Sequence, residues 1–166
     1  MNDTSKDLPF HFESGVTLNV PAGMVFSHLD DHQRLSAHMS QPSWMMVGAR
    51  MKIELDASQG HTLGSRIRLG GHVLGIPLAV EEIVTHYSPP LRKVWETTDT
   101  PNLLVIGHYR MGFEITPQGN SSELRIFIDY ALPESLPARW LGRMLGGWYA
   151  RWCTRRMVSD VEKHFR

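Results

Sequence analysis

Apolar and polar residues alternate along most of this chain, and a period of two puts one side of each segment into a core. Phe10, Phe12, Val16, Leu18 and Val20 share one phase, with His11, Glu13, Thr17 and Asn19 in the other. This predicts a long, half-buried first strand. Pro21 follows where a first helical turn tolerates a missing N–H. Ala22, Val25, Phe26 and Leu29 then fall at i, i+3, i+4 and i+7, the spacing of a short amphipathic helix. A second short helix is expected over His32–Met39, closed by Pro42.

From Trp44 to Leu132 the pattern predicts further strands. Val47, Ala49, Met51, Ile53 and Leu55 form one phase; Leu63, Ser65, Ile67 and Leu69 the next; Ile76, Leu78, Val80, Glu82 and Val84 a third. A strand over Arg92–Thr97 shows no clean phase. Leu103, Val105, Tyr109, Met111, Phe113 and Ile115 read as one strand, and Pro117-Gln118-Gly119-Asn120 as a hairpin turn. Leu124, Ile126, Ile128, Tyr130 and Leu132 make the last strand, and Pro133 and Pro137 stop the sheet. Beyond them Leu141, Leu145, Tyr149, Cys153, Met157, Val161 and Phe165 recur every fourth residue, predicting a long helix to the end of the sequence.

Short connections between consecutive strands require antiparallel hairpins, so the class is α+β: a seven-stranded antiparallel sheet, two short helices between strands one and two, and a terminal helix in the sheet's concave side. At 166 residues, 42% of them hydrophobic, the chain suits a single domain with a real core, expected over 8–166 behind a flexible polar segment at 1–7. Lysine plus arginine equals aspartate plus glutamate, 17 each, which argues against nucleic acid as a partner. A single cysteine and no apolar signal core suggest a soluble cytoplasmic protein.

The order of elements is similar to that of the helix-grip superfamily, which includes START domains and polyketide cyclase-like proteins (SRPBCC). The likeness rests on Val20-Pro21-Ala22 entering Val25-Phe26-Ser27-His28-Leu29-Asp30-Asp31, on Val80-Glu81-Glu82-Ile83-Val84 running into Ser88-Pro89-Pro90, and on the terminal helix. It implies a cavity between sheet and helix that takes a small apolar or amphipathic molecule such as a lipid or polyketide. It carries over no catalytic motif and no cofactor.

Strand phase places Phe12, Met51, Ile67, Leu78, Val80, Glu82, Tyr109, Met111, Ile128 and Tyr130 on the inner face, and the helix stripe adds Tyr149, Cys153 and Met157. Glu82 stands out among them, because an interior carboxylate is costly unless paired or protonated. It is a candidate anchor for a ligand hydroxyl and the one weak catalytic candidate, unless a bulge or strand end carries it to water. His28 and His32 have the i, i+4 spacing of a metal pair, with His38 as the nearest third group; the pattern lacks the glutamate of the zinc-protease motif, so a solvated helix end is the favoured reading and the pair stays a weak metal candidate. Ser27, Ser65 and Cys153 lack the adjacent base that an activated nucleophile needs.

Binding of a small apolar molecule is therefore the favoured reading, with an acid–base enzyme on a polyketide-like ligand as the alternative. Several polar side chains converging in the interior would favour the enzyme. A third reading concerns the terminal helix. Gly142, Gly146, Ala150 and Cys153 cluster on one side, while Trp140, Met144, Trp148 and Trp152 spread over the other with Arg151 and Arg155. An exposed tryptophan–arginine face centred on Trp148 and Trp152 suits a second copy of the chain or a membrane surface. A bend at Gly146-Gly147 would instead turn the tryptophans back onto the protein.

Overall fold

The alternating segments pair, as the pattern requires, into one antiparallel sheet of seven strands. In the computed structural model, which describes residues 7–35, 50–73 and 75–166, these are β1 (Phe10–Leu18), β2 (Arg50–Leu55), β3 (Arg66–Val73), β4 (Ile76–Ser88), β5 (Arg92–Thr97), β6 (Tyr109–Gln118) and β7 (Ser121–Tyr130). Between β1 and β2 lie α1 (Ala22–Asp30) and α2 (His32–Leu35), and the chain closes with α3 (Leu136–His164). The polar segment at 1–6, the remainder of the second short helix, His38 and the expected strand start at Val47–Ala49 fall outside the described residues. The spatial order β1-β7-β6-β5-β4-β3-β2 makes β2 to β7 a meander and returns β1 to the far edge beside β7.

The inner face is built in rows across the strands. Val84, Trp95, Met111, Ile128 and Phe12 stand side by side from β4 to β1. One row along, Ile67 pairs with Glu82, Glu82 with Thr97, and Tyr109 with Tyr130. On the outer face charges alternate across the strands: Arg125 bonds Glu13 at 2.9 Å and also Glu114, which takes Arg92 at 3.2 Å. Such exposed pairs each contribute only about 0–1 kcal/mol, so their effect is on register more than on stability.

Helix α3 packs on the inner side against β1, β7 and α1. Its buried line consists of Gly142, Gly146, Ala150, Cys153, Thr154, Met157, Val158 and Val161. The glycines are there for contact: a Cβ at Gly142 would lie 2.8 Å from the Val105 carbonyl oxygen and 2.9 Å from Pro133 Cδ. Further along, Thr154 Oγ1 meets Ser14 Oγ of β1 at 3.1 Å. The helix is continuous through Gly146-Gly147, and Trp140 and Trp148 on either side of the glycines stay exposed.

Two expectations are corrected. The segment Leu103–Ile115 is not one strand: β6 starts at Tyr109, and before it Asn102 bridges to Ala79 while Gly107 and His108 bond to Ala131. Leu103 and Val105 pack instead against the core, with the α3 glycines sitting on the Val105 carbonyl. The strand read from Leu63 begins at Arg66, because Gly64, with φ of 82°, and Ser65 form a turn.

Candidate functional site

Glu82 keeps the inward phase of β4 and is 2% exposed. A bulge does interrupt this strand, but only after Val84, between it and His86. It therefore leaves Glu82 inside and reverses the phase beyond, turning Tyr87 inward. Tyr109, from β6, donates its hydroxyl to Glu82 Oε1. Above them His32, the first residue of α2, is 2% exposed and sets its ring edge-on to Trp95, centroids 5.0 Å apart. Its Nε2 stands 3.6 Å from Glu82 Oε2, beyond hydrogen-bond range. Glu82 Oε2 and His32 Nδ1 are both buried without a hydrogen-bond partner.

Three neighbouring acids are held protonated. Burial, then the charge of Glu82 and its hydrogen bond, push the Tyr109 hydroxyl well above its ordinary value. The Tyr149 hydroxyl is raised by burial, then by Cys153 and Glu82. The Cys153 thiol is raised to about 12, by burial first and Glu82 second. An elevated thiol pKa is the reverse of what a nucleophile needs.

A second polar cluster adjoins the first. Lys93 of β5 is 0% exposed and reaches Asp30 Oδ1, at the end of α1, over 2.7 Å. Asp30 Oδ2 accepts from Tyr87 Oη at 2.7 Å and lies 2.8 Å from His61 Nδ1. Burial works against the Asp30 carboxylate, but the bonds from Lys93, Tyr87 and His61 outweigh it and hold its pKa below the usual 3.8. A Cβ on Gly60 would lie 3.6 Å from Lys93 Nζ and 3.7 Å from His32 Nδ1, so the clusters meet at that turn.

Of the positions expected to line a pocket, Ile67, Leu78, Val80, Glu82, Tyr109, Met111, Ile128, Tyr130, Cys153 and Met157 are buried, and Phe12 and Tyr149 half-buried. Phe12 lies under the Arg151 guanidinium, 5.1 Å from its ring centre. The Met51 side chain is outside the described set. The two histidines spaced for a metal point to different partners: His28 stacks on His164, centroids 4.0 Å apart, while His32 faces Glu82. Among the described residues no group of three or more His, Cys, Asp or Glu side chains could hold a metal ion. On α3, Trp148 is exposed but Trp152 is half-buried, its ring 5.9 Å from that of Tyr149. That face therefore centres further toward the helix start than expected.

Sequence reasoning missed Lys93, Asp30, Tyr87 and His61, and took His32 only as a metal candidate. Lys93 shares parity with Trp95 and Thr97, which was the available signal.

The class of fold this architecture defines is the helix grip, and solved structures agree. The chain is similar to the Zhui aromatase/cyclase from Streptomyces sp. R1128, at 17% identity and a TM-score of 0.63, covering 95% of this chain and 96% of that one. It is similar also to norcoclaurine synthase from Thalictrum flavum, at 13% identity and 0.63 over 93% and 91% of the two chains, and to Ara h 8.0201, at 10% and 0.60 over 94% and 97%. Identities this low carry the fold and no more. No protein-family model matches the chain, and no curated protein does.

Proposed function

We propose that this protein holds a small apolar or amphipathic molecule between the inner face of the sheet and α3, with a polar group of that molecule docked on Glu82 and His32. The observation that carries the reading is Glu82 Oε2, a buried carboxylate oxygen with no hydrogen-bond partner; His32 Nδ1, on the far side of the facing imidazole, and His28 Nδ1 are likewise buried and unpartnered. Leaving such a group unpaired costs about 1–3 kcal/mol, and more when it is charged. A ligand hydroxyl or amine that donates to Oε2 recovers that cost, while the apolar rows around it take the rest of the molecule. The single cysteine and the absence of any described helix able to cross a membrane fit a cytoplasmic carrier. Native mass spectrometry of protein purified from its host tests this. A co-purifying small molecule should be retained by wild type and lost from Glu82→Leu; a bare protein that also fails to bind apolar fluorescent probes would overturn the reading.

A second reading, acid–base chemistry on such a ligand, is favoured by the convergence of Glu82, His32 and Tyr109. Loss of water from a hydroxylated ligand requires one group to take a proton from carbon and another to give one to the departing hydroxyl. Glu82 Oε2 and His32 Nε2, 3.6 Å apart, form such a pair. Two of the similar structures are named as enzymes, an aromatase/cyclase and a synthase. The exposed face of α3 supports a separate contact, with a membrane surface or a second copy of the chain.

A further inference from the structure

Helix α3 carries two parallel rows outside the Glu82 site, and one of their side chains, Arg151, lies over a candidate lining residue, Phe12. Leu136, Trp140, Met144 and Trp148 follow at i+4 spacing and are 82%, 67%, 61% and 47% exposed. Beside them Arg139, Arg143, Arg151 and Arg155, also in steps of four through Gly147, are all exposed. From Leu136 to Val158 the helix contains no aspartate or glutamate, although the whole chain is electrically neutral. Among the described residues no carboxylate pairs with any of those four arginines. Trp148, Trp152, Arg151, Arg155 and Arg156 line an open depression of about 290 Å³ on the same helix.

We propose that α3 lies in the surface of an anionic lipid bilayer, its Leu136–Trp148 row entering the acyl boundary and its arginine row engaging headgroup phosphates. A second copy of the chain fits less well. A two-fold contact brings the same patch to itself, so arginine would meet arginine with no acid to separate them. A polyanion without apolar surface would satisfy the arginines and leave Trp140 and Met144 in water. A bilayer boundary supplies negative charge and an apolar layer at the same depth, and tryptophan is the side chain that favours it. Three arginines line that depression, and guanidinium pairs with phosphate in bidentate geometry.

Sedimentation with vesicles of phosphatidylcholine, with and without phosphatidylglycerol, tests the proposal. The protein should partition onto the anionic vesicles alone, and salt should release it. Each arginine near the surface is worth roughly a fivefold change in partition, so Arg139→Gln with Arg143→Gln should lower binding about 30-fold. Trp140→Gln with Met144→Gln should also weaken binding, and reduce the blue shift of tryptophan emission on the vesicles to what Trp148 alone supplies. All four side chains are exposed, so thermal midpoints should stay unchanged. No partition at low salt, or partition that survives the four substitutions together, would overturn the proposal. A dimer that sediments in wild type and disappears in the same variants would assign the face to a second copy instead.

Discussion

Asp30→Asn removes one charge and almost no volume, and so isolates what the Asp30–Lys93 pair contributes. Lys93 Nζ is wholly buried, and its polar contacts are the Asp30 carboxylate at 2.7 Å and the Asp30 carbonyl oxygen at 3.3 Å. In the variant the ammonium faces an amide. The Asn oxygen can serve Lys93 or Tyr87, but not both as the two carboxylate oxygens do now. Breaking a buried pair by neutralising one partner costs about 3–5 kcal/mol, a large share of the ~5–15 kcal/mol that stabilises a domain. With a urea m-value near 2 kcal/mol/M the unfolding midpoint should fall by roughly 1–3 M. Adding Lys93→Met should restore most of the loss, since no charge is then buried. The pH dependence has a defined sign. Because Asp30 titrates below its ordinary 3.8 when folded, its contribution is present above that value and is lost as pH falls through the folded pKa. The acid limb of wild-type stability should therefore flatten in Asp30→Asn. A shift within 1 kcal/mol of wild type, or a double variant as unstable as the sum of the singles, would refute this account.

Other expected outcomes follow from the same packing. Tyr109→Phe strips the remaining hydrogen bond from Glu82, and denaturant melts should show a loss of about 1–3 kcal/mol. Gly142→Ala should destabilise by about 1–3 kcal/mol despite better helix propensity, because its Cβ meets backbone at 2.8 Å. Gly147→Ala, whose nearest neighbour is Tyr130 Oη at 3.6 Å, should stabilise by about 0.5–1 kcal/mol in the same melts. Cys153, buried with its thiol raised to about 12, should react with a chromogenic disulfide reagent only as fast as the protein opens. Labelling of the folded protein at the rate of a model thiol would contradict that placement.

The fold was legible because its signal is local. Phase alone put Phe113, Ile126 and Ile128 inside, and the Gly119-Asn120 turn, with φ of 66° at Gly119, is where the hairpin residues stand. The burial of Glu82 was legible for the same reason, as a charge in an apolar phase. What was not legible depends on partners far along the chain. Period-two reasoning takes a lysine as outward, and Lys93 points inward only because Asp30, 63 residues away, neutralises it. Tyr87 was hidden differently: the bulge after Val84 reverses the phase, and nothing in Thr85 or His86 announces it. His32 read as half of a metal pair because i, i+4 spacing is visible in sequence, whereas the crossing of α2 over Glu82 and Trp95 is not.

The seating of β1 at the edge next to β7 has a consequence for how the chain comes into being. Glu13 and Arg125, which pair across that edge, are 112 residues apart. At ribosomal rates the partner strand emerges about 6–22 s after β1 does. The β2–β7 meander can grow hairpin by hairpin as it appears, but β1 must wait for the last of those strands, and closing so long a loop is slow in its own right. Throughout that interval Phe10, Phe12, Val16 and Leu18 sit on an unpaired strand open to other nascent chains. Shielding Phe10–Leu18 over that interval should therefore raise the yield of folded protein, although in the finished sheet the segment is only an edge strand.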